Sequence, residues 1–146
     1  MPIKSFRGKI EDGGIDTVPL STNDGSTGYR IKSLQIITDT PGASNYESLL
    51  KIYSIPQTAA TESVDFSDNT LLAMAYQAGS SDSTVYPTTQ VVVFDNAVFN
   101  QDIYITHADI RHGSGSGLNY HIELEQVKLS LDENTVATLK DIRNIK

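Results

Sequence analysis

The sequence has no cysteine, no tryptophan and only two methionines. Without cysteine there is no disulfide framework, thiol nucleophile, thiolate-bound zinc or iron–sulfur cluster, so stability must come from an apolar core. A chain of 146 residues, 38% of them hydrophobic, is long enough to build one. At this size a single domain hides about 68–70% of the surface its unfolded chain exposes, and no structural metal is required. Long apolar runs are missing as well. No stretch approaches the roughly 20 residues of a membrane-spanning helix. Lys4, Arg7 and Lys9 also stand where a signal peptide would be apolar, so a soluble, unexported chain without a membrane partner is expected.

Positive charge is absent from a long central stretch. Between Ile52 and Ile110 there is no Lys or Arg, while Glu62, Asp65, Asp68, Asp82, Asp95, Asp102 and Asp109 are all present. The remaining acids and bases balance at eleven each, so the middle of the chain carries the whole net charge of -7. A nucleic-acid ligand requires cations that displace the counterions condensed on phosphate, and this stretch would repel that backbone. DNA and RNA are therefore not expected partners. The stretch reads as a solvated acidic face or as a dock for a basic partner.

Helical periodicity is scarce, and period two recurs from end to end. Residues 1–13 read as an extended N-terminal arm closed by Gly13-Gly14. Residues 15–20 form a strand in which Pro19 marks an edge or an end, and Asn23-Asp24-Gly25 reads as the turn of a hairpin to the next strand, 29–38. Residues 48–55 are a strand stopped by Pro56, and 57–69 a long polar surface loop. Residues 71–77 read as a buried strand, and 89–94, the densest β-branched run, as a strand at the sheet centre. Strand 101–108 is followed by the Gly113–Gly117 loop. Leu118, Tyr120, Ile122 and Leu124 then alternate with polar residues. Val127, Leu129 and Leu131 continue on odd positions, a change of phase that predicts a β-bulge near Glu125-Gln126. Residues 132–143, with acids first and bases last, fit one short helix. Eight short strands joined by Gly, Pro, Asn, Asp and Ser clusters predict an all-β fold. The expected form is a single antiparallel β-sandwich or jelly roll over 1–146, ending in a helix or tail over 132–146.

Sites for chemistry are few. His107, Asp109 and His112 are the one local cluster of metal-type ligands, on spacing that equally fits a polar rim beside a glycine loop. Glu123 and Glu125 share a strand face at a separation a glycosidase uses, with no enclosing pocket evident to raise the pKa of an acid. The Gly113–Gly117 loop lacks the Lys and helix of a phosphate loop, and Asp65 and Asp68 read as turn residues rather than a calcium loop. No metal, cofactor or catalytic set is expected. Tyr46 and Tyr86, placed in loops, are the candidate aromatic contacts.

Four stretches carry a resemblance: Val18-Pro-Leu-Ser-Thr-Asn-Asp-Gly-Ser-Thr-Gly-Tyr-Arg-Ile31, Asp102-Ile-Tyr-Ile-Thr-His107, Leu118-Asn-Tyr-His-Ile-Glu-Leu-Glu-Gln-Val-Lys-Leu129 and Ala137-Thr-Leu-Lys-Asp-Ile-Arg143. They resemble small structural proteins of marine tailed bacteriophages, over less than half of the chain. The resemblance implies a non-enzymatic virion protein on the capsid exterior, made in the host cytoplasm. Its implied role is head decoration (cement), as a compact β-sandwich bound to the major capsid protein and assembled as a homotrimer. Tail or fibre placement and a carbohydrate-binding adhesion module remain the alternatives. The candidate capsid or subunit contacts are Lys4, Arg7 and Lys9 in the first arm, Lys140 and Arg143 near the basic end, and Tyr46 and Tyr86.

Overall fold

A computed structural model describes residues 2–20, 26–39, 46–79, 88–94, 98–110 and 117–129. Eight strands run in order: β1 (Ile3–Ile10), β2 (Ile15–Val18), β3 (Thr27–Thr38), β4 (Tyr46–Tyr53), β5 (Leu71–Gly79), β6 (Thr88–Val93), β7 (Ile103–Asp109) and β8 (Leu118–Lys128). They form a three-stranded sheet, β1-β8-β3, and a five-stranded sheet, β2-β7-β4-β5-β6, and every pairing is antiparallel. The two sheets pack face to face as a β-sandwich, and no helix occurs among the described residues. The helix expected over 132–143 lies outside them.

The strand pairs are nested. β1 pairs with β8, β2 with β7 and β4 with β5, as in a long hairpin rolled into two layers, which is how a jelly roll is built. In that scheme β3 would pair with β6. β6 instead pairs with β5 at the edge of the larger sheet, and β3 lies beside it without a strand ladder between them. Among the described residues, β3 and β6 therefore leave a seam along one side of the sandwich unsealed by any ladder.

Alternation decides what fills the interior. Leu118, Tyr120, Ile122 and Leu124 of β8 face inward against Leu50 and Ile52 of β4 and Ile103 and Ile105 of β7. Ala73 and Ala75 of β5 are fully buried, and their small side chains allow close approach of the opposite sheet. Gly13, at φ 79°, makes the tight turn that carries the chain from β1 in one sheet to β2 in the other. The sheets are also tied by a hydrogen bond, in which the Tyr120 hydroxyl donates to Asp16 Oδ2 at 3.0 Å.

Several sequence expectations change. The N-terminal arm is extended but not free: β1 is paired with β8 along its whole length, with Phe6, Gly8 and Ile10 on the inner face. No hairpin joins β2 to β3, because β2 pairs with β7 and β3 with β8 in different sheets. The bulge is on β3, not β8. The register shifts between Ile31 and Ser33, so Lys32 is the extra residue; Tyr29 and Ile31 before it and Leu34 and Thr38 after it can then all face inward. The run 89–94 is the edge strand β6, with Val91 exposed; β-branched residues fit any pleated surface and do not by themselves specify the centre.

Two outcomes follow from this packing. Ile122→Ala removes a fully buried side chain from β8 and should cost about 2–5 kcal/mol in urea unfolding, while the exposed Ile37→Ala stays within about 0.5 kcal/mol of the parent. Tyr120→Phe removes the bond to Asp16 and should cost about 1.5–3 kcal/mol. Burial and then the Asp16 carboxylate raise the Tyr120 pKa above the ordinary 10.0. The fold thus keeps a proton that the unfolded chain releases, and wild-type stability should fall as pH rises beyond about 10. The Phe variant should lack that part of the alkaline loss.

Candidate functional site

The sandwich sorts charge between its layers. Seven Lys and Arg residues are described, and six of them, Lys4, Arg7, Lys9, Arg30, Lys32 and Lys128, stand on the three-stranded sheet. The seventh, Lys51, is 1% exposed. On the outer face of the smaller sheet, register aligns Arg7 with His121 and Gln35, and Lys9 with Asn119 and Ile37. Lys9 is paired with Asp39 at 3.2 Å and Glu11 at 3.6 Å, and the bond to Asp39 and the nearby acids raise its pKa. Arg30 and Lys32 both reach Glu125, at 3.1 and 3.5 Å. Arg7 is exposed and makes no ion pair among the described residues.

Arg7 opens into a cleft of about 750 Å³ at the β3–β6 seam. One wall carries Arg7, Gln35, Asn119 and His121, and the other carries Thr89 and Val91 of β6. Ile37 and Val91 line the same cleft while 52% and 40% exposed. The cleft thus combines one available guanidinium, amide and imidazole groups, and uncovered apolar surface. Such a set of groups is chemically suited to an anionic group attached to an apolar body.

Lys51 organises the opposite surface. It points outward from β4 under the 54–70 loop, where its Nζ donates to Thr61 Oγ1 at 2.6 Å and the Ser63 carbonyl at 2.7 Å. Its ammonium also lies 5.7 Å from the centre of the Tyr53 ring. Burial lowers the Lys51 pKa, and Asp68 partly opposes this. Beyond it, Asp65 accepts from Ser67 N and Oγ, and Asp68 accepts from Thr70 N and Oγ1, so both carboxylates cap their own turns. The loop surface is acidic and also apolar: Phe66 is 55% exposed although its ring meets Phe94 edge-on at 5.2 Å, and Val64 is exposed beside it. Strand alternation alone does not reveal this anchor; the position of Lys51 as the last base before a stretch without Lys or Arg is the signal the sequence offers.

The other sequence candidates fare differently. His107 and Asp109 are fully buried on the inner face of β7 and do not form a rim. The His107 Nδ1–H donates to the Ile10 carbonyl at 3.1 Å, and Nε2 has no hydrogen-bond partner. His112 lies outside the described residues, and no group of three or more His, Cys, Asp and Glu among them is placed to hold a metal ion. Glu125 is ion-paired with Arg30 and Lys32 on the outer face of the smaller sheet. Tyr46 is not in a loop: it begins β4 and is 3% exposed, with its ring beside Gly79, so it offers no contact surface. Tyr86, Lys140 and Arg143 lie outside the described residues.

A scan of protein-family models finds no match to this chain, and a search of curated proteins finds none.

Lys51→Ala would leave Thr61 and Ser63 without their donor and open space under the loop. The expected cost is about 2–4 kcal/mol. Amide hydrogen exchange should accelerate across 54–70 and remain unchanged in β8.

Proposed function

We propose that this protein is a non-enzymatic virion structural protein, a decoration protein that binds and stabilises the outside of a tailed-phage head. The observation that carries this reading is the gathering of six of the seven described cations on one layer of a β-sandwich, opposite a layer covered by an acidic loop. A protein laid on a larger assembly benefits from two such faces: the basic one is drawn to an acidic lattice, and the acidic one keeps the particle exterior soluble and mutually repelling. The sequence resemblance to phage structural proteins supports the same reading.

The contact proposed is the outer edge of β1, which has no further strand neighbour among the described residues and where Ile3 and Lys4 are exposed and Lys9 stands at the far end, with Lys140 and Arg143 as further bases. The partner is the major capsid protein. Removing residues 1–9 is a poor test, since it strips β8 of a neighbouring strand. Charge reversal at Lys4 is cleaner. Mass spectrometry of purified particles should find this chain in hundreds of copies, in a fixed ratio to the major capsid protein. Lys4→Glu should lower occupancy on stripped particles at least about tenfold without changing the far-UV spectrum. A few tens of copies would move the protein to the tail or fibres, and absence from particles would reject the virion reading.

A second reading, a carbohydrate-binding module, is favoured by the row of amide, imidazole and guanidinium groups in the cleft. A glycan array distinguishes the two: binding that is lost in Gln35→Ala supports the module, and silence leaves the structural role.

A further inference from the structure

We infer that the cleft at the β3–β6 seam receives the acidic loop of a second copy of this chain, making a head-to-tail contact between copies. The proposal stands independently of particle binding.

Three observations support it. First, the cleft and the loop are complementary in charge. Arg7 is exposed in the cleft and makes no ion pair among the described residues, and the loop presents Glu62, Asp65 and Asp68. Second, both are apolar where they are uncovered. Of the six large hydrophobic side chains exposed on the described surface, Ile37 and Val91 line the cleft, and Val64 and Phe66 crown the loop. Two exposed apolar patches, each bordered by charge of opposite sign, are the features of an interface core and its rim. Third, the seam is the one nested strand pair left without a ladder among the described residues, so the cleft is built into the topology, while Lys51 holds the loop in shape from below.

The loop covers the outer face of the five-stranded sheet at β4, and the cleft lies between the three-stranded sheet and β6. The contact is therefore heterologous, with different patches on the two partners, and each copy retains a free cleft and a free loop until a ring closes.

That asymmetry supplies the test. By sedimentation velocity the wild-type protein should self-associate reversibly, less so as salt rises. Arg7→Glu damages only the cleft and Phe66→Ser only the loop. Each residue is exposed, so both variants should keep the wild-type far-UV spectrum. Each alone should weaken self-association at least about tenfold. Mixed together, they should form a one-to-one dimer that grows no further, because the intact loop of one fits the intact cleft of the other. Ile37→Ser is a second cleft variant and should behave as Arg7→Glu does. A wild-type protein that remains monomeric at its highest soluble concentration would overturn the proposal. So would an oligomer indifferent to these substitutions, or a mixture that fails to restore the dimer.

Discussion

Among the described residues β1 and β3 have no strand neighbour other than β8, so the smaller sheet exists only while β8 stays extended with its apolar side against the larger sheet. Four inward residues, Leu118, Tyr120, Ile122 and Leu124, keep it there, three of them fully buried and the fourth bonded across the interior to Asp16. Because the side-chain period of a strand is two, burying this set also fixes the opposite one. Asn119, His121, Glu123 and Glu125 must face out. Through register they set where Arg7, Lys9, Gln35 and Ile37 stand on the flanking strands. The charged outer face is thus a consequence of core packing one layer beneath it.

The bulge at Lys32 shows how the same constraint operates on β3. Its apolar residues change phase midway, and a regular strand would turn half of them to solvent. The extra residue absorbs the change, and Lys32 reaches Glu125 from the bulge. Beyond it, β3 ends the sheet as an edge that β6 does not close. Proteins commonly protect such edges with charge, with bulges or with cover from other segments. Here a bulge lies on the edge strand itself, and Phe99 covers it at Tyr29 through paired backbone hydrogen bonds and a stacked ring. The stretch from Leu34 to Ile37 borders the cleft instead.

On the other layer, a buried lysine performs the organising work that a cluster of apolar residues performs elsewhere. The 54–70 loop is too polar to fold onto the sheet by hydrophobic burial. An ammonium rising from the central strand β4 gives it two hydrogen bonds and a nearby carboxylate, and turn-capping by Asp65 and Asp68 shapes the remainder. The desolvation of Lys51 is offset by these partners, which is why a charge can stand at the middle of a sheet.

Much of the fold was legible in the sequence because alternation and turn chemistry are local. All eight strands, the buried character of 71–77, the surface loop after Pro56 and the two-layer architecture follow from residues close in sequence. The errors concern properties that are not local. Whether 89–94 lies at a centre or an edge, whether β2 and β3 pair, and which of β3 and β8 takes the extra residue depend on partners far along the chain. The same holds for the site. The sequence determined that the 54–70 loop would be acidic, since the stretch after Lys51 has no base to offset Glu62, Asp65 and Asp68. Only the tertiary structure decided that Arg7, His121, Gln35 and Val91 would meet, because four strands from two sheets had to come together before any cleft existed.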